Sequence, residues 1–401
     1  MTNLTLHKFS DIYEMASGIS SKPEQAGHGS PFLSFSVVFN NYFLPPVLND
    51  RMNTNELEQE KYSIRSGDIF LTRTSEVIDE LGMSSIALCD YPNSTYSGFL
   101  KRLRPIKEAV AYPKFMAFYL RSPLFRKTMT NNAVLTLRAS LNEEIFSYLN
   151  LLLPSYDEQI KAGDLLFLLS QKIDCNNRIN AKLEAITKLI YDYWFIQFDF
   201  PDVNGNPYKS SGGKMIYHST LKREAPEGWH ITKIGKYADV TKGDLITAKD
   251  AQAGNVKVVA AGIDYSYKHT NFNRPANTIT ISGSGANAGF INFWREPIFA
   301  SDCISVRAKT DCETLLLLQY LKFIQPHIFS QATGSAQPHV YPGDIKTLEY
   351  ILADDTLIKK FEELAIPMNN IIAKNINENE QLTQLRDWLL PILMNGQATL
   401  S

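Results

Sequence analysis

Residues 101–140 hold the densest run of like charge in the chain. Nine cations fall there: Lys101, Arg102, Arg104, Lys107, Lys114, Arg121, Arg126, Lys127 and Arg138, against one acid, Glu108. Side chains of this kind neutralise phosphate, and their neighbours supply donors and acceptors for base edges. Tyr112, Phe115, Phe118, Tyr119 and Phe125 are interleaved with them and read as core. Arg73, in LTRTSE, follows a predicted strand. An arginine there can bind guanine bidentately, and Thr72, Thr74 and Ser75 can reach phosphate or base. A plain surface loop fits the same residues. Farther along, Ser282, Gly283, Ser284, Gly285 and Asn287 form a small polar turn. Glycine admits close backbone approach, and asparagine can read adenine. A hairpin turn accounts for the same pattern. Thr333, Ser335, Gln337 and His339 share one lightly built loop, ATGSAQPHV, and Lys268, His269, Asn271 and Arg274 form a polar, basic one. Both are candidates for base or phosphate contact.

Catalytic patterns are missing. The nearest approach to an [N/D/S]-P-P-[Y/F/W] base-flipping loop is Asn206-Pro207-Tyr208, which lacks the second proline. Gly212-Gly213-Lys214 has the wrong context for a phosphate loop, and no G-x-S-x-G or H-E-x-x-H occurs. Asp202 after Pro201 has no E-x-K to complete a nuclease set. No catalytic or metal-ligating residue is therefore expected. Cys89, Cys175, Cys303 and Cys312 stand singly, without zinc spacing. With 40 Lys+Arg against 42 Asp+Glu, the net charge of −2 excludes a uniformly basic coat but not a local basic face. MTNLTLHKFSDIYEM lacks the features of a signal peptide, and no apolar run reaches about 18 residues, so a cytoplasmic location is expected.

These residues must be positioned by a duplicated frame. The 401 residues predict two to four structural units. Two long helical segments, one from Asp157 to Trp194 and one from Asp355 to Leu393, align at a constant offset of 199 residues. Ile173 then matches Ile372, Asn176 matches Asn375, Asn180 matches Asn379, and Leu183 matches Leu382. Leu169, Ile173, Asn176, Asn180 and Leu183 step by four and three, which is a coiled-coil seam. Asparagine at the same seam positions in both helices fixes register at a cost in stability. Each helix would run roughly 55–60 Å. Pro367 should kink the second helix, and Pro391 should mark its final turn. Each is preceded by a strand-rich region, with Gly18 and Gly243 at corresponding places. The divisions expected are 1–154 and 226–353 for two globules, 155–197 and 354–397 for the helices, and 198–225 for a linker rich in Gly, Pro, Ser and Asn.

The order of these segments resembles the specificity subunit of type I restriction-modification systems. LPSYDEQ at Leu153, INAKLEAITKLIYDYWFIQFDFP, APEGWHITKIGKYADVTKG at Ala225, ISGSGANAGFINFW at Ile281, ATGSAQPHVYPGDIK at Ala332 and LPILMNGQ at Leu390 carry the resemblance over essentially the whole chain. It implies an α+β fold. Two mixed α/β target recognition domains would be separated by two long antiparallel coiled-coil helices, in a pseudo-two-fold repeat. Each globule would read one half of a bipartite DNA target, and the helices would space the half-sites. Divergence of the globules outside the frame implies an asymmetric target. The resemblance further implies a non-catalytic subunit that binds double-stranded DNA and two methyltransferase subunits, with restriction and motor subunits attached through them. No cofactor is expected on this chain; S-adenosylmethionine and ATP would sit on partners. A scaffold or regulator of a methyltransferase without its own DNA recognition is the alternative, and a stand-alone enzyme is a third.

Overall fold

The computed structural model describes all residues except 1–2, 21, 76–80, 133, 136–138, 141–148, 220–221, 332–337 and 398–401. It divides into two compact units: residues 1–175 with 378–401, and residues 176–377.

In the first unit, strands β1 (Thr5–Lys8), β2 (Tyr13–Ser17), β3 (Ala26–Leu33), β4 (Arg51–Met52), β5 (Ile69–Thr72), β6 (Thr74–Ser75), β7 (Ser84–Ile86), β8 (Thr95–Tyr96), β9 (Leu100–Pro105), β10 (Val134–Leu135), β11 (Ala139–Ser140) and β12 (Asn150–Leu153) follow one another. The main sheet has the order β2-β9-β5-β7, with all pairs antiparallel. Its centre is β5, IFLT, which is apolar on both faces and buried at every position. A short sheet has the order β4-β3-β8, with β3 antiparallel to β4 and parallel to β8. Strands β1 and β12 pair antiparallel. The helix Pro113–Tyr119 begins with proline at its first turn and buries Phe115, Met116, Ala117, Phe118 and Tyr119. The interleaved aromatics are thus core, each contributing on the order of 2 kcal/mol by burial.

In the second unit, β13 (Met215–His218), β14 (Arg223–Pro226), β15 (His230–Lys233), β16 (Ala238–Lys242), β17 (Val256–Val259), β18 (Tyr265–His269), β19 (Thr278–Ser282), β20 (Ile291–Trp294), β21 (Ile298–Ala300), β22 (Cys303–Ala308) and β23 (Glu349–Leu352) repeat the same plan. The main sheet is β16-β22-β19-β20, the short one β18-β17-β21, and β15 pairs with β23. In the short sheet β17 is again antiparallel to one neighbour and parallel to the other. Strand for strand, β2-β9-β5-β7 corresponds to β16-β22-β19-β20, and β4-β3-β8 to β18-β17-β21. The glycines correspond as well. A Cβ on Gly18 would meet the Ser97 carbonyl oxygen at 2.2 Å, and one on Gly243 the Ser301 carbonyl oxygen at 2.1 Å. No larger residue fits where these two chains cross.

The first long helix is Tyr156–Tyr191, 36 residues, followed by a π turn at Asp192–Ile196; the second is Asp355–Met394, 40 residues. At 1.5 Å per residue these are about 54 and 60 Å long. Ser155 and Glu158 cap the first, the Ser155 hydroxyl and backbone N–H both donating to the Glu158 carboxylate. The Asp354 carboxylate accepts from the Leu357 N–H and caps the second. The second helix continues unbroken through Pro367 and keeps Pro391 within its last turn. Within the second unit the helices run antiparallel. Asn375 Nδ2 donates to Asn180 Oδ1 at 2.8 Å, and the Thr187 hydroxyl contacts Met368 Sδ at 3.8 Å. Seven residues forward on one helix answer seven back on the other.

Two divisions differ from the sequence expectation. The boundary between compact units runs through both helices, because each globule packs on the helical stretches nearest to it. Ala162, Leu166, Leu390, Leu393 and Met394 join the first core, and Tyr191, Leu357, Phe361 and Ala365 join the second. Residues 198–225 do not form a free linker. Phe198 and Phe200 are buried against Trp229 at ring distances of 5.4 and 5.6 Å, Tyr208 stacks on Phe200 at 4.7 Å, and β13 pairs with β14. The aromatics outweigh the Gly, Pro, Ser and Asn content, because their burial offsets the entropy of ordering the segment.

Candidate nucleic-acid interface

Much of the basic stretch turns inward. Lys101 and Arg102 are 5% and 7% exposed on β9. Lys101 Nζ donates to Ser17 Oγ at 2.7 Å, and Arg102 donates to the Ser63 carbonyl at 2.9 Å with its guanidinium over the Tyr96 ring. Arg104 forms a fork on the fully buried Asp68, at 2.8 and 2.6 Å, and also donates to the Ser63 carbonyl. The bond that Arg104 donates to Asp68 raises the guanidinium pKa above its ordinary value. Arg121 donates to the carbonyls of Ser84, Val38, Phe39 and Asn41, and burial lowers its pKa to about 10. Lys114 pairs with Asp164 at 2.7 Å. The expectation that Lys101, Arg102 and Arg104 contact DNA is therefore corrected. A pleated strand alternates its side chains, and on β9 the residues from Leu100 to Leu103 are buried on both faces. Lys107 and Lys127 remain exposed.

Thr72 is also corrected: it is fully buried, and its hydroxyl accepts from the Met83 N–H at 2.9 Å. Arg73, one residue on, is exposed and makes no side-chain bond to another described residue. Thr74 and Ser75 pair through the backbone with Ser140 and Ala139. Arg138, Thr333, Ser335 and Gln337 lie outside the described residues.

In the second unit Ser282 is 4% exposed and donates to the Gly262 carbonyl, so it too faces inward. Arg274 is a structural clamp rather than a phosphate contact. Its guanidinium donates to Ser305 Oγ at 2.7 Å, to the Asn273 and Lys242 carbonyls, and to Thr241 Oγ1. Lys268 and Asn271 are exposed, and Asn287 is half-buried on a short 3-10 turn. Ser284 Oγ donates to the Asp302 carboxylate at 2.8 Å. Ser284 bridges through its backbone to His339, whose ring lies parallel to Tyr341 at 6.0 Å. Lys242, Gly283, Ser284, Asp302, His339 and Tyr341 line a cavity of about 400 Å³. Asp302, Lys242 and Tyr341 escaped the sequence reading. A lone acid, lysine or tyrosine carries no pattern, and only the fold brings them to one place.

Along the helical seam Leu169, Asn176, Ile372 and Asn375 are buried, while Ile173, Asn180, Leu183, Asn379 and Leu382 are half-buried. Arg295, at the end of β20, donates to Glu184 on the first helix at 2.9 Å and to Asn369 on the second at 2.8 Å. Burial lowers its pKa from the ordinary arginine value. Among the described residues no group of three or more His, Cys, Asp or Glu could hold a metal ion, and no helix is long and apolar enough to cross a membrane.

A duplicated globule, each copy keeping one frame and presenting different polar side chains, together with a seam of paired helices, defines a protein of the DNA-specificity class. A family model for the type I restriction modification DNA specificity domain matches residues 8–185 and 226–352, and the chain belongs to that family. It is 22% identical over 427 aligned residues to the specificity subunit of the type I restriction enzyme MjaIX of Methanocaldococcus jannaschii, covering 97% of this chain and 92% of that one. With the HindI specificity subunit of Haemophilus influenzae the identity is 21%, covering 91% and 94%. The fold is also that of a crystallised type I restriction-modification S subunit from M. genitalium, with a TM-score of 0.63, 15% identity, and coverage of 98% and 96%.

Proposed function

We propose that this chain is the non-catalytic DNA-recognition subunit of a type I restriction-modification complex and that it binds a bipartite, asymmetric duplex target. The observation that carries the reading is the repeated strand order, filled with different exposed residues in the two units. A common frame with divergent polar surfaces suits one docking mode and two half-sites. Each globule grips one half-site. The helical pair to which both units contribute sets the number of unread base pairs. Two methyltransferase subunits bring S-adenosylmethionine and flip one adenine on each strand. Restriction subunits, with their ATP, attach through the methyltransferases, and the assembly works in the cytoplasm.

The test is to co-express the chain with its cognate methyltransferase and map methylated adenines across the host genome by single-molecule sequencing. Methylation confined to one two-part motif with a fixed gap is the expected result. A stable complex that methylates without any motif would overturn sequence recognition and leave the scaffold reading.

A further inference from the structure

The repeat brings two corners of the molecule into correspondence. In the first unit the β5–β9 register runs Leu71↔Lys101, Thr72↔Leu100, and continues to Arg73 and Phe99, where the Arg73 N–H donates to the Phe99 carbonyl at 2.8 Å. In the second, β19–β22 runs Ile281↔Ile304, Ser282↔Cys303, which places Gly283 opposite Asp302. The support beneath each corner is the same. Ser97 N–H donates to the Leu33 carbonyl at the end of β3, and Ser301 N–H to the Val259 carbonyl at the end of β17. Gly18 and Gly243 abut the carbonyls of those same two serines. Thr72 and Ser282 are buried at the same strand position. What the corners present differs: Arg73 with Phe99 in one, Gly283 with Asp302 in the other.

The first corner has a feature that folding does not explain. Phe99 is 63% exposed. Its turn is nevertheless rigid: the Leu100 N–H donates to the Ser97 carbonyl, the Phe99 N–H to Ser97 Oγ, and the Gly98 N–H to the Ile19 carbonyl. A large apolar ring is thus held in solvent on the residue whose backbone pairs with that of the exposed Arg73. Elsewhere in this unit Arg102, Arg104 and Arg121 are bonded internally.

We propose that this corner is the base-reading element of each globule, and that in the first globule Arg73 reads a guanine while Phe99 packs against the 5-methyl group of a neighbouring thymine. The inference rests on the recognition reading above and names the residues and bases it uses. The guanidinium supplies two parallel donors to O6 and N7 of guanine, and a phenyl ring supplies the apolar contact a thymine methyl takes. Residues opposed across an antiparallel pair lie about 5 Å apart at Cα, a span that serves adjacent bases stacked about 3.4 Å apart. The second corner offers instead the Asp302 carboxylate, an acceptor suited to the exocyclic amine of cytosine. The two half-sites differ for that reason.

The test uses the complex of the full chain with its methyltransferase. Arg73→Ala and Phe99→Ala remove exposed side chains, so both variants should melt with the wild type. Arg73→Ala should relax one guanine position in one half-site, slowing methylation there by roughly ten- to a hundredfold and leaving the other half-site unchanged. A duplex with 7-deazaguanine at that position should weaken the wild type and not Arg73→Ala. Uracil in place of the adjacent thymine should weaken the wild type and not Phe99→Ala. Variants that keep the wild-type motif and rate, or that lose affinity equally for every sequence, overturn the assignment. A wild-type complex that methylates without a motif overturns the recognition reading itself, and this inference with it.

Discussion

Arg104 and Arg73 show how differently two arginines of one sheet can be used. Arg104 is bonded to Asp68, which has no exposure, so the two charges compensate each other in the interior. Removing one partner leaves the other buried and uncompensated. Arg104→Ala should therefore cost about 3–5 kcal/mol of stability, read as a lower denaturation midpoint. Loss of affinity for DNA of any sequence, with the midpoint unchanged, would show instead that Arg104 contacts phosphate. The sequence records both arginines as charges near predicted strands. It does not record that the β9 side chains lie under other elements while Arg73 stands just beyond the end of β5. That difference arises from strand order in the sheet, which depends on residues far apart in the chain.

At the scale of the helices, the periodicity already marked Asn176, Asn180, Asn375 and Asn379 as polar seam positions. Which of them meet was decided by direction. Antiparallel packing pairs Asn180 with Asn375, whereas the 199-residue offset relates Asn180 to Asn379. Asn180→Ala should cost about 1–3 kcal/mol by leaving a buried Asn375 amide group without its partner. Leucine at both positions should restore or raise stability while loosening register. Thermal melts of Asn180→Leu, Asn375→Leu and the double variant measure the coupling, and additive losses would deny the contact. The first long helix is also fastened to its globule by Asp164, which accepts from Lys114 Nζ and the Tyr112 hydroxyl. The bond from Lys114 holds the Asp164 carboxyl below the usual carboxylate range. A depressed carboxylate stabilises at pH above its unfolded value, and the contribution is lost as pH falls through the folded value. Asp164→Asn should therefore lower the melting temperature modestly at pH 7, since the pair is part-exposed. The difference from wild type should vanish as the pH falls below the carboxylate range. A difference that persists undiminished in acid would assign the effect to packing.

At the scale of the molecule, each compact unit has its own core and its own main sheet. Independently packed sites with no shared partners behave additively. Asp302→Asn should thus alter one half-site of the methylated motif and leave untouched the one altered by Arg73→Ala. The double variant should show both changes, as motif mapping of the three complexes would reveal. Coupled changes in a single half-site would mean that one globule alone reads DNA.

The duplication, the two long helices with their seam, and the correspondence of Gly18 with Gly243 were legible in the chain. These depend on local periodicity and on steric demands that few residue types satisfy. The inward turn of Lys101, Arg102, Arg104 and Arg274, the packing of residues 198–225 into the second core, and the convergence of Ser284, Asp302 and His339 were decided by tertiary structure. Each depends on which distant strand or carbonyl lies within about 3 Å of a polar atom, and sequence spacing holds no information about that distance.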